Sequence, residues 1–232
     1  MKTQEGFHAI PRVLALLVAL FICSGASGEL ITVTFDGTLS NVEASLAGRF
    51  SLGDPMHVSI TYESTTPDGW PDPDNGYYPA ITSFNVLVED PAGDYTASAS
   101  DGHFVVNNDR SGGGGPDDAI FAEVNAFGGG TLVGDPVDGM PLWQFLLQLD
   151  DGTGTALSND LLPTSFDPTL FDNNQLILYW RHDTGHGIYD DGIAADTFTS
   201  TSSFTPVPLP GALLLGILGL GTAGGLVRRH LR

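Results

Sequence analysis

Cysteine is nearly absent from this 232-residue chain, and the single one, Cys23, sits in an N-terminal apolar run. The rest of the chain therefore has no disulfide, no thiol nucleophile and no cysteine-ligated metal, so its fold must rest on an ordinary core. Bases are almost as scarce: 8 Lys and Arg stand against 28 Asp and Glu, a formal net charge of -20 at pH 7. Glu5 is the only acid outside residues 29–205, and within that stretch only Arg49, Arg110 and Arg181 are basic. A segment this anionic repels phosphate backbones and anionic lipid, which excludes nucleic acid as a partner and leaves cations and uncharged polymers. Missing too from residues 29–205 are a helical period, a Gly-x-Ser-x-Gly elbow, a phosphate-cradling loop and any repeat of roughly 20 to 50 residues. Nucleophilic and nucleotide chemistry have no anchor, and a solenoid or propeller is not expected.

What is present first is a pair of address-like ends around one domain-sized middle. Lys2, His8 and Arg12 precede an apolar run at 13–23 (VLALLVALFIC) and the small residues SGASG, the three-part layout of a secretory signal. Residues 1–28 are expected to act as a signal peptide, cleaved by signal peptidase after Ala26 or Gly28. The run is too short for a membrane anchor, which needs roughly 20 apolar residues. Ile22 stands where a lipoprotein needs a small residue before the modified cysteine.

At the other end Val207, Pro208, Leu209 and Pro210 lead into an apolar stretch at 211–227, closed by Arg228, Arg229 and Arg232. At about 1.5 Å rise per residue that stretch makes a helix of roughly 26 Å, marginal for a permanent anchor. Arginines stay on the cytoplasmic side, so residues 29–206 are expected outside. Pro208 and Pro210 cannot continue the helix and hold the chain extended beside the membrane, where a protease can reach it.

This order of parts resembles the PEP-CTERM sorting tail in its VPLP variant, with Leu209 at the family's acidic position and Gly211 where the subgroup often has Ala. The resemblance covers only the last residues, 206–232. It implies recognition and cleavage by an exosortase in a Gram-negative envelope, transient residence in the inner membrane, and final placement on the cell surface or in an exopolysaccharide biofilm matrix. The alternative is an uncleaved transmembrane anchor, with Gly221 and Gly225 as its helix-packing face.

Between the ends, period-two alternation recurs. Ile31, Val33 and Phe35 alternate with threonines; Met56, Val58, Ile60 and Tyr62 do the same, and Phe84, Val86 and Val88 and then Trp143, Phe145, Leu147 and Leu149 supply further rows. Turn clusters such as SLGDP, EDPAGD and DDGTG separate them. The expected fold of residues 29–205 is all-β: an antiparallel, jelly-roll-like β-sandwich, flanked by a signal helix and a transmembrane sorting helix. Residues 64–79 and 107–118 read as elaborated loops, rich in Gly, Pro and Asp. Trp143 and Tyr179 are expected in the core, with Trp180 left open.

Several constellations invite chemistry. Asp183-Thr184-Gly185 after an apolar run has the form of an aspartic-protease half-site, but no second copy exists to share its proton, and a turn between strands is the better reading. His182 and His186, followed by Asp190 and Asp191, would share a helix face, yet Gly185 and Gly187 argue for a loop. Calcium is the more credible ion: Asp68, Asp72, Asp74 and Asn75, or Asn108, Asp109, Asp117 and Asp118, offer hard oxygen ligands on loops, though without EF-hand spacing. Trp70, Tyr77 and Tyr78 lie beside carboxylates, the combination of apolar plate and acceptor that suits a sugar ring.

The expected function is a non-enzymatic structural or interaction role in the envelope or matrix, with exopolysaccharide as a partner. A carbohydrate-binding module using the loop aromatics is the alternative, and a polysaccharide hydrolase using two carboxylates across a cleft stands behind it.

Overall fold

A computed structural model of the chain describes residues 28–206, apart from 71, 73, 113–114, 126–129 and 184–187. The signal segment and the tail, with the motif Val207–Pro210 and Arg228, Arg229 and Arg232, lie outside the described residues. Glu29–Thr205 form one compact unit. Among the described residues no helix is long and apolar enough to cross a membrane, and the helical structure is a single 3-10 turn at Pro168–Leu170.

The alternating runs become strands, all paired antiparallel. In chain order they are β1 (Glu29–Thr38), β2 (Asn41–Val42), β3 (Pro55–Glu63), β4 (Asn75–Val88), β5 (Tyr95–Ala99) and β6 (Gly102–Gly112). These are followed by β7 (Gly115–Val124), β8 (Val133–Gly134), β9 (Leu142–Asp151), β10 (Asn173–Asp183), β11 (Ile188–Ala195) and β12 (Phe198–Pro206). Register follows the pattern: Val33 faces Ile60 across β1 and β3, and Val58 faces Val86 across β3 and β4, so each buried row meets another. A one-residue slip would turn every such side chain to solvent.

The strands form one sheet in the order β12-β1-β3-β4-β6-β7-β9-β10-β11-β2. Strand β4 is where it turns. Its first half pairs with β6, and its last residues, Phe84–Val88, pair with β5, which in turn carries β8. The sheet curls so that its inner face closes on itself. Phe84 on β4 and Phe145 on β9 stand 4.3 Å apart, ring centre to ring centre, although β6 and β7 lie between them along the sheet. Trp180 on β10, fully buried, likewise meets Tyr95 on β5 at 5.5 Å and Phe50 from the β2–β3 connection at 5.3 Å.

Three local expectations change. Residues 64–79 are not all loop: β4 starts at Asn75, and Pro79 sits exposed where the register shifts between Tyr78 and Ile81, a bulge that needs no N–H from it. Residues 107–112 and 115–118 belong to the two arms of the β6–β7 hairpin, bent by a register shift between Asn107 and Arg110, with Asp109 at a positive φ of 53°. Trp143 and Tyr179 are half-buried on the outer side, and Trp180 takes the core. The cause is a bulge: Tyr179 pairs with Gln144 but Trp180 with Leu142, which leaves Trp143 unpaired and turns it outward. There the Arg181 guanidinium lies 3.4 Å over its ring.

Candidate functional site

The aromatic loop is the best-built surface feature, and Asp68 organises it. Asp68 Oδ1 accepts the Trp70 N–H at 2.9 Å and the Tyr77 N–H at 2.8 Å, while the Gly69 N–H reaches the Tyr77 carbonyl at 2.8 Å. Gly69 lies so close to Tyr77 that a Cβ there would stand 3.0 Å from the ring, so only glycine fits without displacement. Held this way, the Trp70 ring stacks on Tyr77 with centres 5.2 Å apart and planes 24° apart. Tyr77 in turn covers His103 at 4.9 Å. His103 on β6 faces Glu123 on β7 in register, with its Nε2 3.6 Å from Glu123 Oε2.

The ladder therefore runs from an open plate to a dry polar pair. Trp70 is 48% exposed, whereas the His103 side chain is 5% exposed. Burial lowers the pKa of His103 and raises that of Glu123, so both are pushed toward neutrality despite their contact. His103 Nδ1 has no hydrogen-bond partner. Sequence reading missed this pair. Each residue is a polar outward position in an alternating run, and only the register of β6 on β7 joins them.

This geometry sets a pH dependence. The folded state holds His103 neutral, so charging it favours the unfolded chain, and stability is expected to fall as pH drops from about 7 through the unfolded imidazole value of about 6.5. Glu123 acts in the opposite sense at lower pH, because a carboxyl with a raised pKa adds stability as it protonates. His103→Gln is expected to remove the loss between about pH 7 and about pH 5.5, read as the shift of the urea midpoint. An identical shift in wild type and variant would mean that His103 is not the group responsible.

Tyr78 does not belong to this surface. It points inward, is buried, and its hydroxyl donates to the Asp160 carbonyl at 2.9 Å. The adjoining Gly76 leaves no room either, since a Cβ there would stand 2.4 Å from the Tyr78 ring and 2.5 Å from the Asp160 oxygen. Tyr78 fastens the long β9–β10 connection to the inner face of the curled sheet and offers a ligand nothing.

The acidic loop residues are mostly committed to the backbone. Asp68 is engaged as described; Asp72 Oδ1 accepts the Asp74 N–H at 3.0 Å, and the Asp74 carbonyl accepts the Asn108 N–H at 3.0 Å. Asn75 opens β4 opposite Asn107. In the neighbouring hairpin, fully buried Asp118 accepts from Asp109 N–H at 2.9 Å and Leu157 N–H at 2.7 Å. The side-chain oxygens Asn108 Oδ1 and Asp117 Oδ1 are buried without a hydrogen-bond partner. Among the described residues no group of three or more His, Asp or Glu side chains is arranged to hold a metal ion.

Asp183 ends β10 and pairs with Ile188 at the start of β11; the rest of the Asp-Thr-Gly segment, Thr184 and Gly185, lies outside the described residues, as do His186 and Gly187. His182 Nδ1 lies 3.0 Å from Met140 Sδ and 3.5 Å from Asp191 Oδ2. Asp191 accepts the Ser45 hydroxyl at 2.6 Å, which holds its pKa down, while burial and then the neighbouring Asp191 raise that of Glu43. Asp190 is taken by the Arg181 guanidinium at 2.7 Å and 2.9 Å. No protein-family model, curated protein or solved structure matches this chain.

Proposed function

We propose that the chain is an exported, non-enzymatic protein of a Gram-negative cell envelope or exopolysaccharide matrix, sorted by signal peptidase and exosortase, whose sandwich-like acidic domain contacts polysaccharide. The observation that carries the contact is the half-exposed Trp70 ring stacked on Tyr77, anchored by the two N–H bonds to Asp68. A rigid aromatic plate meets the C–H face of a sugar at small entropic cost, and the surrounding acids repel phosphate polymers. A hydrolase reading has less support. Glycosidase carboxyls stand roughly 5 to 10 Å apart around the scissile bond, whereas Glu43 and Asp191 are adjacent enough for each to shift the other's titration and Glu123 lies beneath the aromatic stack.

One experiment on the exported protein tests both halves of the reading. The mature wild-type chain is expected to lack residues 211–232 by mass and to be retained on the producer's exopolysaccharide. Trp70→Ala is expected to abolish retention while changing stability by less than about 1 kcal/mol, the usual range for a surface position. Retention that survives Trp70→Ala removes the aromatic contact. An intact Arg228–Arg232 terminus on surface protein replaces the sorting tail with a permanent anchor.

A further inference from the structure

We propose that the outer face of β1, β3, β4 and β5 carries a separate groove that binds a neutral oligosaccharide. The groove has a volume of about 660 Å³ and is bounded by β8 and Asp135 on one side, within the roughly 300 to 1,000 Å³ typical of small-ligand sites. Its floor is set by strand register. Thr34 faces Ser59, Ser59 faces Asn85 and Asn85 faces Ser98, so four hydroxyl or amide side chains line up across four strands. With neighbouring strands roughly 4.8 Å apart, the row spans roughly 14 Å, the scale of a short oligosaccharide lying across the strands.

A second row runs beside the first: Asp36 faces His57, His57 faces Leu87 and Leu87 faces Thr96. His57 is clamped, with Nδ1 2.6 Å from Asp36 Oδ1 and Nε2 3.4 Å from Glu89 Oε1. The rim is fixed too, because the Tyr95 hydroxyl donates to the Asp135 carbonyl at 2.9 Å. Gly134 permits this close approach, since a Cβ there would stand 2.7 Å from both the Tyr95 hydroxyl and Leu142. The site is thus a shaped surface on paired strands rather than a mobile loop.

Its chemistry selects the ligand class. Ser59, Ser98 and Asn85 both donate and accept, Asp36 and Asp135 accept only, and no Lys or Arg lines the groove. A sugar's hydroxyls need this mixture, and its C–H face needs an apolar contact, which half-buried Leu87 and 63% exposed Val133 provide. Polyuronates meet only like charge. A polyamine would suit the carboxylates but leaves the central hydroxyl and amide row unused, and Asp36 is already occupied by His57.

The proposal extends the glycan-contacting reading of this domain but not its aromatic pair, and the two separate experimentally. The full-length chain is titrated calorimetrically with neutral tetrasaccharides of glucose, galactose and mannose, with tetragalacturonate, and with spermidine. At least one neutral tetrasaccharide is expected to bind, with affinity lowered tenfold or more by Ser98→Arg and by Asn85→Ala and unchanged by Trp70→Ala. Urea midpoints confirm that each variant is folded; both groove positions are exposed, so either variant alone suffices. Failure of every neutral sugar to bind overturns the proposal, as does binding of tetragalacturonate or spermidine that Ser98→Arg abolishes. Neutral-sugar binding lost in Trp70→Ala and kept in Ser98→Arg assigns the sugar to the aromatic pair and removes the groove. Loss of matrix retention in Trp70→Ala with groove binding intact leaves both sites standing.

Discussion

Trp180→Ala is expected to destabilise the domain by about 4 kcal/mol, the range for emptying a large aromatic site in a packed core. Trp180 is fully buried and lies where the curled sheet meets itself, with Phe50 at 5.3 Å and Tyr95 at 5.5 Å. Phe50 is held by its N–H bond to the Leu46 carbonyl at 3.0 Å and Tyr95 by its pairing with Val88 in the short strand β5, so neither can follow a retreating neighbour without breaking a backbone bond. The cavity should therefore stay open. Urea unfolding followed by tyrosine fluorescence measures the loss, and Trp180→Phe should recover more than half of it. A loss below about 1 kcal/mol would place this residue outside the core, since only surface substitutions are normally that mild.

Asp118→Ala should cost about 3 kcal/mol, because it removes a fully buried carboxylate that accepts two part-buried backbone N–H bonds, each strengthened by its charge. The carboxylate takes the N–H of Asp109, held at positive φ in the hairpin bend, and the N–H of Leu157 in the β9–β10 connection. Its register partner Asp151 does similar work, accepting from the N–H groups of Thr153, Thr155 and Ala156, and the Thr153 hydroxyl heads the bonds that hold its pKa well below the ordinary carboxylate range. The two acids together fasten a connection that also supplies Leu162, Phe166 and Phe171 to the core. Asp118→Asn keeps an acceptor and should lose less. A circular-dichroism melt of the alanine variant coinciding with wild type would show that the hairpin bend and the connection are held by other contacts.

The alternating rows of β1, β3 and β4 could be read directly because a strand with one wet face writes its burial into a period of two. The same rule misplaced Trp143. It shares parity with Phe145, and only pairing with β10 reveals the bulge that turns it outward. Gly, Pro and Asp content misled at residues 107–118 for a related reason. Those residues disfavour strands on average, but a long hairpin tolerates them at its bend, where Asp109 takes a positive φ.

The candidate site divided in the same way. Trp70 and Tyr77 were visible as aromatics beside acids, and their stacking follows from a short loop folding back on its own strand. Tyr78, one residue on, faces the core because successive strand residues point to opposite sides. His103 and Glu123 could not be paired from the chain alone, nor could Thr34, Ser59, Asn85 and Ser98 be seen as one row. Each is an ordinary outward polar residue until register is known.

Local quantities are set by the sequence itself: strand periodicity, the excess of acids, the lack of thiols, and an ordering of terminal parts that suggests export. These depend on neighbours within a few residues. The curl at β4, the choice of Trp180 over Trp143 for the core, the burial of Asp118, and the two outward-facing arrays depend on which strands meet and in what register. Such pairings join residues up to 171 positions apart, as the bond from the Ser203 hydroxyl to the Thr32 carbonyl does, and their free energy is realised only when the whole sheet closes on its core.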